Sequence, residues 1–487
     1  MLIQTRKLII SFIVATTLIL TFVYLYVGSL SSSLNRNTPA SRHRSQQQQQ
    51  RPPPYEQQHG LPQVGKGLVP RPTFDPSERY LAYLPHSGFH NQRITLENAL
   101  LLANYLNRTL LVPPVFLGPA TEWRPFDILL RRLLLQTKRG LDHCGRIGKS
   151  DPLPAECLNY YSWTTVEWDF FYDMEKINKV QPWKYRPDHS FAWMETNLGI
   201  DRLKDIHIVY DQAHYDYQIY DDPESTFPLN RNRYLRKLEL KDLSDVKERV
   251  LHMGSLFATG RVLAELPEHK TFQQYLRRSM ILSTPILTKT SNAIVDKLGG
   301  LGSFVGLHLR VGDGMFVQPA PTNIENMFDS LVNITGITPI PNYQAFPAST
   351  PGDSAAAGDS TSRSRSGPER LDGTQCKARK SEGGKYTAIY IATDGVYPRR
   401  NKLFRKLFDH FPCIFTLDDF SDHLAELKDM KNYDGVGLSK DLIPMVDAVV
   451  SAKGSHFLGT PKSTFSTYVS KQLHPAFVES LTPPAQA

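Results

Sequence analysis

From Ser303 to Leu473 the chain alternates short apolar runs with segments of helical periodicity, and this constrains the fold more than any other feature. A strand is expected over Ser303–Leu309, running into HLRVGDG, and a second over Thr387–Ala392 in KYTAIYIATDG. RRNKLFRKLFDHF then reads as a helix, CIFTL as a strand, DLIPMVDAVVSAKG as a helix, HFLGT as a strand and STFSTYVSKQL as a last helix. Strands separated by helices must run parallel, because the crossover returns the chain to the same edge, so a doubly wound parallel sheet is expected. A second series of this kind opens the globular part. It comprises strand Tyr80–Leu84, the polar segment PHSGFHNQR (Pro85–Arg93), a helix from about Ile94 to Leu106 and strand Leu110–Val112. Leu96, Ala99, Leu100 and Ala103 recur at helical spacing and suit packing on a sheet.

With 487 residues the chain exceeds one ordinary core. The expected fold class is therefore α/β with two Rossmann-like domains, at 73–290 and 291–475, and a tail at 476–487. Within the first, 120–290 is mixed, with aromatics in NYYSWTTVEWDFFYD that read first as core or cleft lining and a charged helix near Arg231–Arg249. The segment 318–384 is rich in Ser, Pro, Gly and Asp and reads as a disordered insertion.

The net charge of +8 belongs to the start of the chain, where residues 1–72 hold eight Lys and Arg against one acid. The remainder is near neutral, which argues against nucleic acid as a partner. Leu8–Val27 is twenty residues without a charge, the length needed to cross a bilayer. It reads as an uncleaved signal-anchor behind a short cytoplasmic tail (1–7), with a flexible, Gln- and Pro-rich stem at 28–72. That arrangement implies a single-pass type II protein of the Golgi or ER membrane with its bulk in the lumen. Cys144 and Cys157 flank a short loop and form the expected disulfide; no zinc-type CxxC pattern occurs. Of two glycosylation sequons, at Asn107 and Asn333, the second is the better candidate, because Asn107 falls at an expected helix end.

In open α/β sheets ligands bind beyond the carboxyl ends of the strands, so polar residues there are informative. Four such clusters occur: Pro85–Arg93, His308–Asp313, Thr393–Gly395 and Gly459–Phe465. The set suits a nucleoside diphosphate. Arg310 supplies a planar, permanently charged fork, Ser463 and Thr464 supply hydroxyls at a helix start, and Asp394 can accept from a ribose or a base edge. Taken singly, each has a plainer account: Ser463 or Thr464 as a helix cap, His308 as a core histidine, Arg310 as a surface ion-pair partner. No GxxxxGK[ST] motif occurs, and GGLGS at 299–303 precedes its strand. Nor is there an Asp-x-Asp triplet of the kind that grips a diphosphate through a metal, so no metal or other cofactor is expected.

GFHNQR after the first strand, HLR-x-GD, IATD and GT-x-x-STFS, in that order, resemble the GDP-fucose protein O-fucosyltransferases, as a fungal-type or otherwise divergent member. The resemblance covers roughly Pro76–Leu473. It implies the GT-B arrangement of two Rossmann-like domains, a GDP-fucose donor, a protein or glycan acceptor and an inverting, metal-independent transfer. It further implies that Arg310 binds the β-phosphate, that His308 and Asp394 hold the guanosine, and that Ser463, Thr464 and Phe465 line the phosphate and base pocket. Gly88, Phe89 and Asn91 would wrap the donor, Asn91 being the active-site amide. The sequence departs from the family pattern in three places. Val311 stands where a second basic residue is common, and HSGF-HNQ lacks an arginine found in some members, Arg93 lying just downstream. It also lacks a carboxylate that could act as base, Glu97 lying a turn further on and reading as a helix-surface residue. A different nucleotide sugar such as a rhamnose donor, or a silent glycan-binding scaffold, are the rival readings.

Overall fold

Strand β1 (Tyr80–Ala82) is short and wholly buried, and it hands over to helix α1 (Phe89–Tyr105). The helix starts five residues earlier than its apolar periodicity suggests, so Phe89, His90 and Asn91 form its first turn rather than a loop. From Gln92 to Ala103 every residue of α1 is buried, polar ones included. A helix enclosed on all sides has no solvent stripe, which is why its pattern understates its length.

The chain continues through β2 (Thr109–Val112), β3 (Trp183–Tyr185), β4 (Ile206–Val209) and β5 (Val250–Met253). These make a five-stranded, all-parallel sheet in the order β3-β2-β1-β5-β4. Helices α2 (Pro267–Ser279) and α3 (Pro285–Lys297) follow, then β6 (Val305–Leu309), α4 (Ala320–Thr335), β7 (Ile389–Thr393), β8 (Ile414–Thr416), α5 (Ser439–Ala452), β9 (His456–Gly459) and α6 (Thr464–Tyr468). A π-helical stretch, Val469–Leu473, and a final turn, His474–Val478, prolong α6. The second sheet is also parallel, in the order β8-β7-β6-β9, and pairs Leu309 with Thr393 and His308 with Gly459, so its carboxyl ends are level.

The structure is a computed structural model that describes residues 75–148, 151–341, 343 and 371–478. One core cluster runs from Leu81 and Leu100 through Leu276 and Leu287 to Val449 and Tyr468, so it spans both sheets. Among the described residues no helix is long and apolar enough to cross a membrane. The expected anchor Leu8–Val27, the stem and residues 479–487 of the tail lie outside them.

Three expectations need correction. The helix near Arg231–Arg249 is instead a strand (Arg236–Glu239), a short helix (Leu240–Ser244) and the start of β5. Dense charge there marks exposed faces rather than helical periodicity. The segment 318–384 is not disordered throughout, for α4 buries Ile324, Met327, Phe328 and Leu331 at i, i+3, i+4, i+7 spacing, and a capped helix occupies Gly373–Arg379. Composition averaged over 67 residues concealed that stripe. The division at 290/291 falls inside α3, which packs along α5.

Candidate active site

β1 and β6 hold the same topological position. Each lies inside its sheet with later strands added on both sides, the switch point where a crevice opens beyond the strand end. Pro85–Arg93 leaves the first, and His308–Asp313 leaves the second.

In the opening segment, His86 is buried and both ring nitrogens meet hydroxyls, Nδ1 at Ser87 Oγ (2.7 Å) and Nε2 at Ser255 Oγ (2.6 Å). Ser87 takes a positive φ of 66° while its N–H donates to the Thr121 carbonyl, so the turn is fixed from both sides. Gly88 begins α1 with an ordinary φ of −78°, and a Cβ there would meet nothing within 4 Å. Its backbone thus borders open space that a side chain would fill. The ring of Phe89 turns away into the core, packing on Phe171 (4.8 Å) and Trp168 (5.9 Å). Its side chain anchors the turn, which leaves its backbone to face a donor. Asn91 is half-buried and, among the described residues, its side-chain amide bonds to no protein group, although its carbonyl accepts from Thr95 Oγ1. Gln92 fixes the segment to the chain at Phe116, accepting from its N–H (2.9 Å) and donating to its carbonyl (2.8 Å).

The facing wall is built from the second sheet. Thr460 Oγ1 donates to the His308 carbonyl (2.9 Å) and accepts from the Arg310 N–H (2.9 Å), which locks β9 to the end of β6. His308 is buried, bonded through Nδ1 to Ser466 Oγ (2.6 Å) and stacked on Phe465 at 4.0 Å. Burial first, and the Arg310 charge second, push its imidazole down to about 3, so it is neutral near pH 7. The Arg310 guanidinium is about one-third exposed. It forks onto both oxygens of Asp313 (2.8 and 2.9 Å) and reaches Asp394 Oδ2 (2.9 Å). Asp394 also accepts from the N–H groups of Val311 (2.8 Å) and Gly312 (3.0 Å), and a Cβ on residue 312 would come within 2.6 Å of it. Here, then, Asp394 shapes the loop and orients Arg310. The side chain of Val311 is buried in the apolar cluster with Phe404, so its backbone N–H alone faces Asp394. Ser463 caps α6, its Oγ accepting from the Ser466 N–H (3.3 Å), and Thr464 is the first, half-buried helical residue.

The two walls meet at His90, which the sequence reading passed over. Its ring lies 5.2 Å from Phe465 and 5.4 Å from Tyr468, and among the described residues its buried Nδ1 has no partner. Burial, then the charges of Arg93 and His308, hold it well below the usual imidazole value. His90 thus joins the opening segment to Phe465, which in turn stacks on His308. Ser466 was also missed, although the i, i+3 pair Ser463/Ser466 is a legible capping signal; Thr460 falls in the expected cluster Gly459–Phe465. Glu97 is not a surface residue as expected: it is 5% exposed and bonded to Arg93, Arg277 and Gln472.

Cys144 and Cys157 form a disulfide, and so do Cys376 and Cys413, a pairing not anticipated. Among the described residues the one His/Cys/Asp/Glu cluster within ligand reach, His143 with Cys144 and Cys157, has its sulfurs in that bond. Asn333 is exposed but in the last turn of α4, whereas Asn107 is exposed in a left-handed turn beyond α1, the reverse of the placement expected. A cavity of about 510 Å³ is lined by Gly336, Tyr386 and His410 near the amino ends of β7 and β8, away from these clusters.

A model of the family described as GDP-fucose protein O-fucosyltransferase matches residues 168–474, well over half of the chain. The chain belongs to this family. The matched span contains His308, Arg310, Asp394 and Ser463–Phe465, and it begins after the opening segment. O-fucosyltransferase 30 of Arabidopsis thaliana is 55% identical over 55 residues, which is 11% of this chain and 10% of that protein. The chain therefore spans about a tenth of that relative's length. Crystal structures of POFUT1 with GDP and with GDP-fucose are 11% and 13% identical over 82% of this chain and 95% of theirs, with TM-scores of 0.35 and 0.34.

Proposed function

We propose that the protein transfers fucose from GDP-fucose to a hydroxyl of a protein or glycan, with inversion and without a metal ion. It would do so in the lumen of the Golgi or ER, held by Leu8–Val27. Family membership supports the reaction class. The observation that carries this reading is that the opening segment and Arg310 each leave a switch-point strand, with His90 of the first packed on Phe465 of the second.

In this reading Arg310 exchanges Asp313, which is 69% exposed, for oxygens of the β-phosphate and keeps Asp394 as its fixed partner. The C1–phosphate oxygen bond breaks, the diphosphate leaves with its electron pair, and Arg310 with the Ser463 and Thr464 hydroxyls stabilises that charge. His308 and Phe465 border the guanosine, and the neutral imidazole brings a polar edge without a charge. Gly88 lets the donor approach the α1 backbone, since the space a Cβ would fill is open. The acceptor oxygen bonds to C1 from the opposite face. Asn91 accepts a hydrogen bond from that hydroxyl and orients it. No carboxylate lies in Pro85–Arg93, and Glu97 is committed to three donors, so bond breaking runs ahead of proton loss and the hydroxyl proton passes to solvent water.

The test is release of GDP from GDP-fucose by the purified protein, with folded protein domains and free glycans as acceptors. Acceptor-dependent release with fucose on the product supports the reading. Turnover only with another nucleotide sugar overturns the donor; glycan binding without any nucleotide release overturns the reaction.

A further inference from the structure

The carboxylate of Glu97 is shared by three elements. Oε1 accepts from Arg277 Nε on α2 (2.7 Å), and Oε2 accepts from Arg93 on α1 and from Gln472 Nε2 (3.1 Å each). Arg93 is 2% exposed and lays its guanidinium 4.5 Å from the centre of the Tyr468 ring. Tyr468 and Gln472 belong to the helical run that begins at Ser463, and Gln472 lies in its π-helical stretch, a local device common near functional sites. One buried carboxylate therefore ties the helix bearing Asn91 to the helix bearing Ser463 and Phe465.

We propose that Glu97 is a positioning residue for the transfer, setting how far Asn91 stands from the Ser463–Phe465 wall; this rests on the fucosyl-transfer reading above. Asn91 and Glu97 sit six residues apart on one buried helix, roughly 9 Å along a rigid axis. A displacement of Glu97 against Gln472 is thus carried to Asn91. A buried ionic group of this kind adds little net stability over an apolar replacement, but it specifies one register of the parts it joins. Catalysis is sensitive to that register, because a misplacement of about 1 Å can cost about 10²-fold in rate.

Gln472→Leu removes one neutral donor and leaves the Arg93–Glu97–Arg277 pairing in place; Glu97→Gln weakens all three contacts. In the full chain, Gln472→Leu is expected to keep its GDP affinity within about twofold and its melting temperature within a few degrees. The maximal rate of GDP release should fall by about tenfold, more in Glu97→Gln. Backbone amides of Asn91–Arg93 should exchange hydrogen faster in Gln472→Leu. An unchanged maximal rate in both variants overturns the proposal. So does a joint fall of rate, affinity and melting temperature, which a purely structural role would give. Should the wild-type protein neither bind GDP nor turn over, the fucosyl-transfer reading fails instead. Hydrogen exchange then decides the coupling alone: faster exchange at Asn91–Arg93 in Gln472→Leu supports it, and unchanged exchange overturns it.

Discussion

The two walls of the candidate site are built on opposite plans. The wall from the second sheet is charged and saturated: Arg310, Asp394, Thr460, His308 and Ser463 already bond to one another or to the backbone. The wall from the first sheet is open, for Gly88 borders empty space and, among the described residues, the Asn91 amide has no protein partner. Its order comes from behind, through Gln92 at Phe116 and through Glu97. A preorganised charged wall suits the part of a substrate that is constant, the diphosphate. An unsaturated wall suits the part where bonds change and where acceptors differ.

The comparison is most exposed to acid. Burial holds His86, His90, His189 and His252, around the first sheet, and His308, on the second, below the ordinary imidazole value. A group whose folded value is depressed loses stability as pH falls below its unfolded value of about 6.5, because only the unfolded chain takes up the proton. Each such histidine costs about 1.4 kcal/mol per pH unit below that point. Lowering the pH from 7.5 to 5.5 should thus cost several kcal/mol, mostly on the first sheet. Thermal melts with hydrogen exchange check this, and a pH-independent melting temperature, or the second sheet opening first, breaks the comparison.

Arg310→Ala should lower the rate of GDP release by about 10²–10³-fold with little change in melting temperature, since the side chain is partly exposed. Asn91→Ala should lower the maximal rate by about tenfold with GDP affinity intact, because the open wall acts on the transition state rather than on the nucleotide. Equal losses of affinity in both variants would erase the distinction between the walls. The smallest effect is expected for Asp313→Asn, which weakens an exposed competitor for the guanidinium and should tighten GDP binding about two- to threefold.

Much of this was legible in the sequence. The alternation after Ser303 carries both parallel order and strand ends, and Arg310, His308, Asp394 and Ser463 stand at or just beyond those ends in the sequence. What escaped depended on long-range packing. β5 joins β1 and β4 from about 170 and 40 residues away, and nothing local in LHMG announces a strand. Glu97 looked exposed because carboxylates rarely enter a core, and its three donors come from positions 93, 277 and 472. Phe89 fitted a donor-binding motif but packs against Phe171, since an aromatic at a helix start is drawn to the nearest apolar surface.

The central claim is that Arg310 and the strand-end clusters form a site for a guanosine diphosphate. Calorimetric titration of GDP and UDP into the wild-type protein and Arg310→Ala tests it most directly. The account predicts that GDP binds and UDP binds far more weakly. It also predicts that loss of the charged contact lowers GDP affinity by about tenfold to a hundredfold. Equal binding of the two nucleotides, or undiminished GDP affinity in Arg310→Ala, would contradict it.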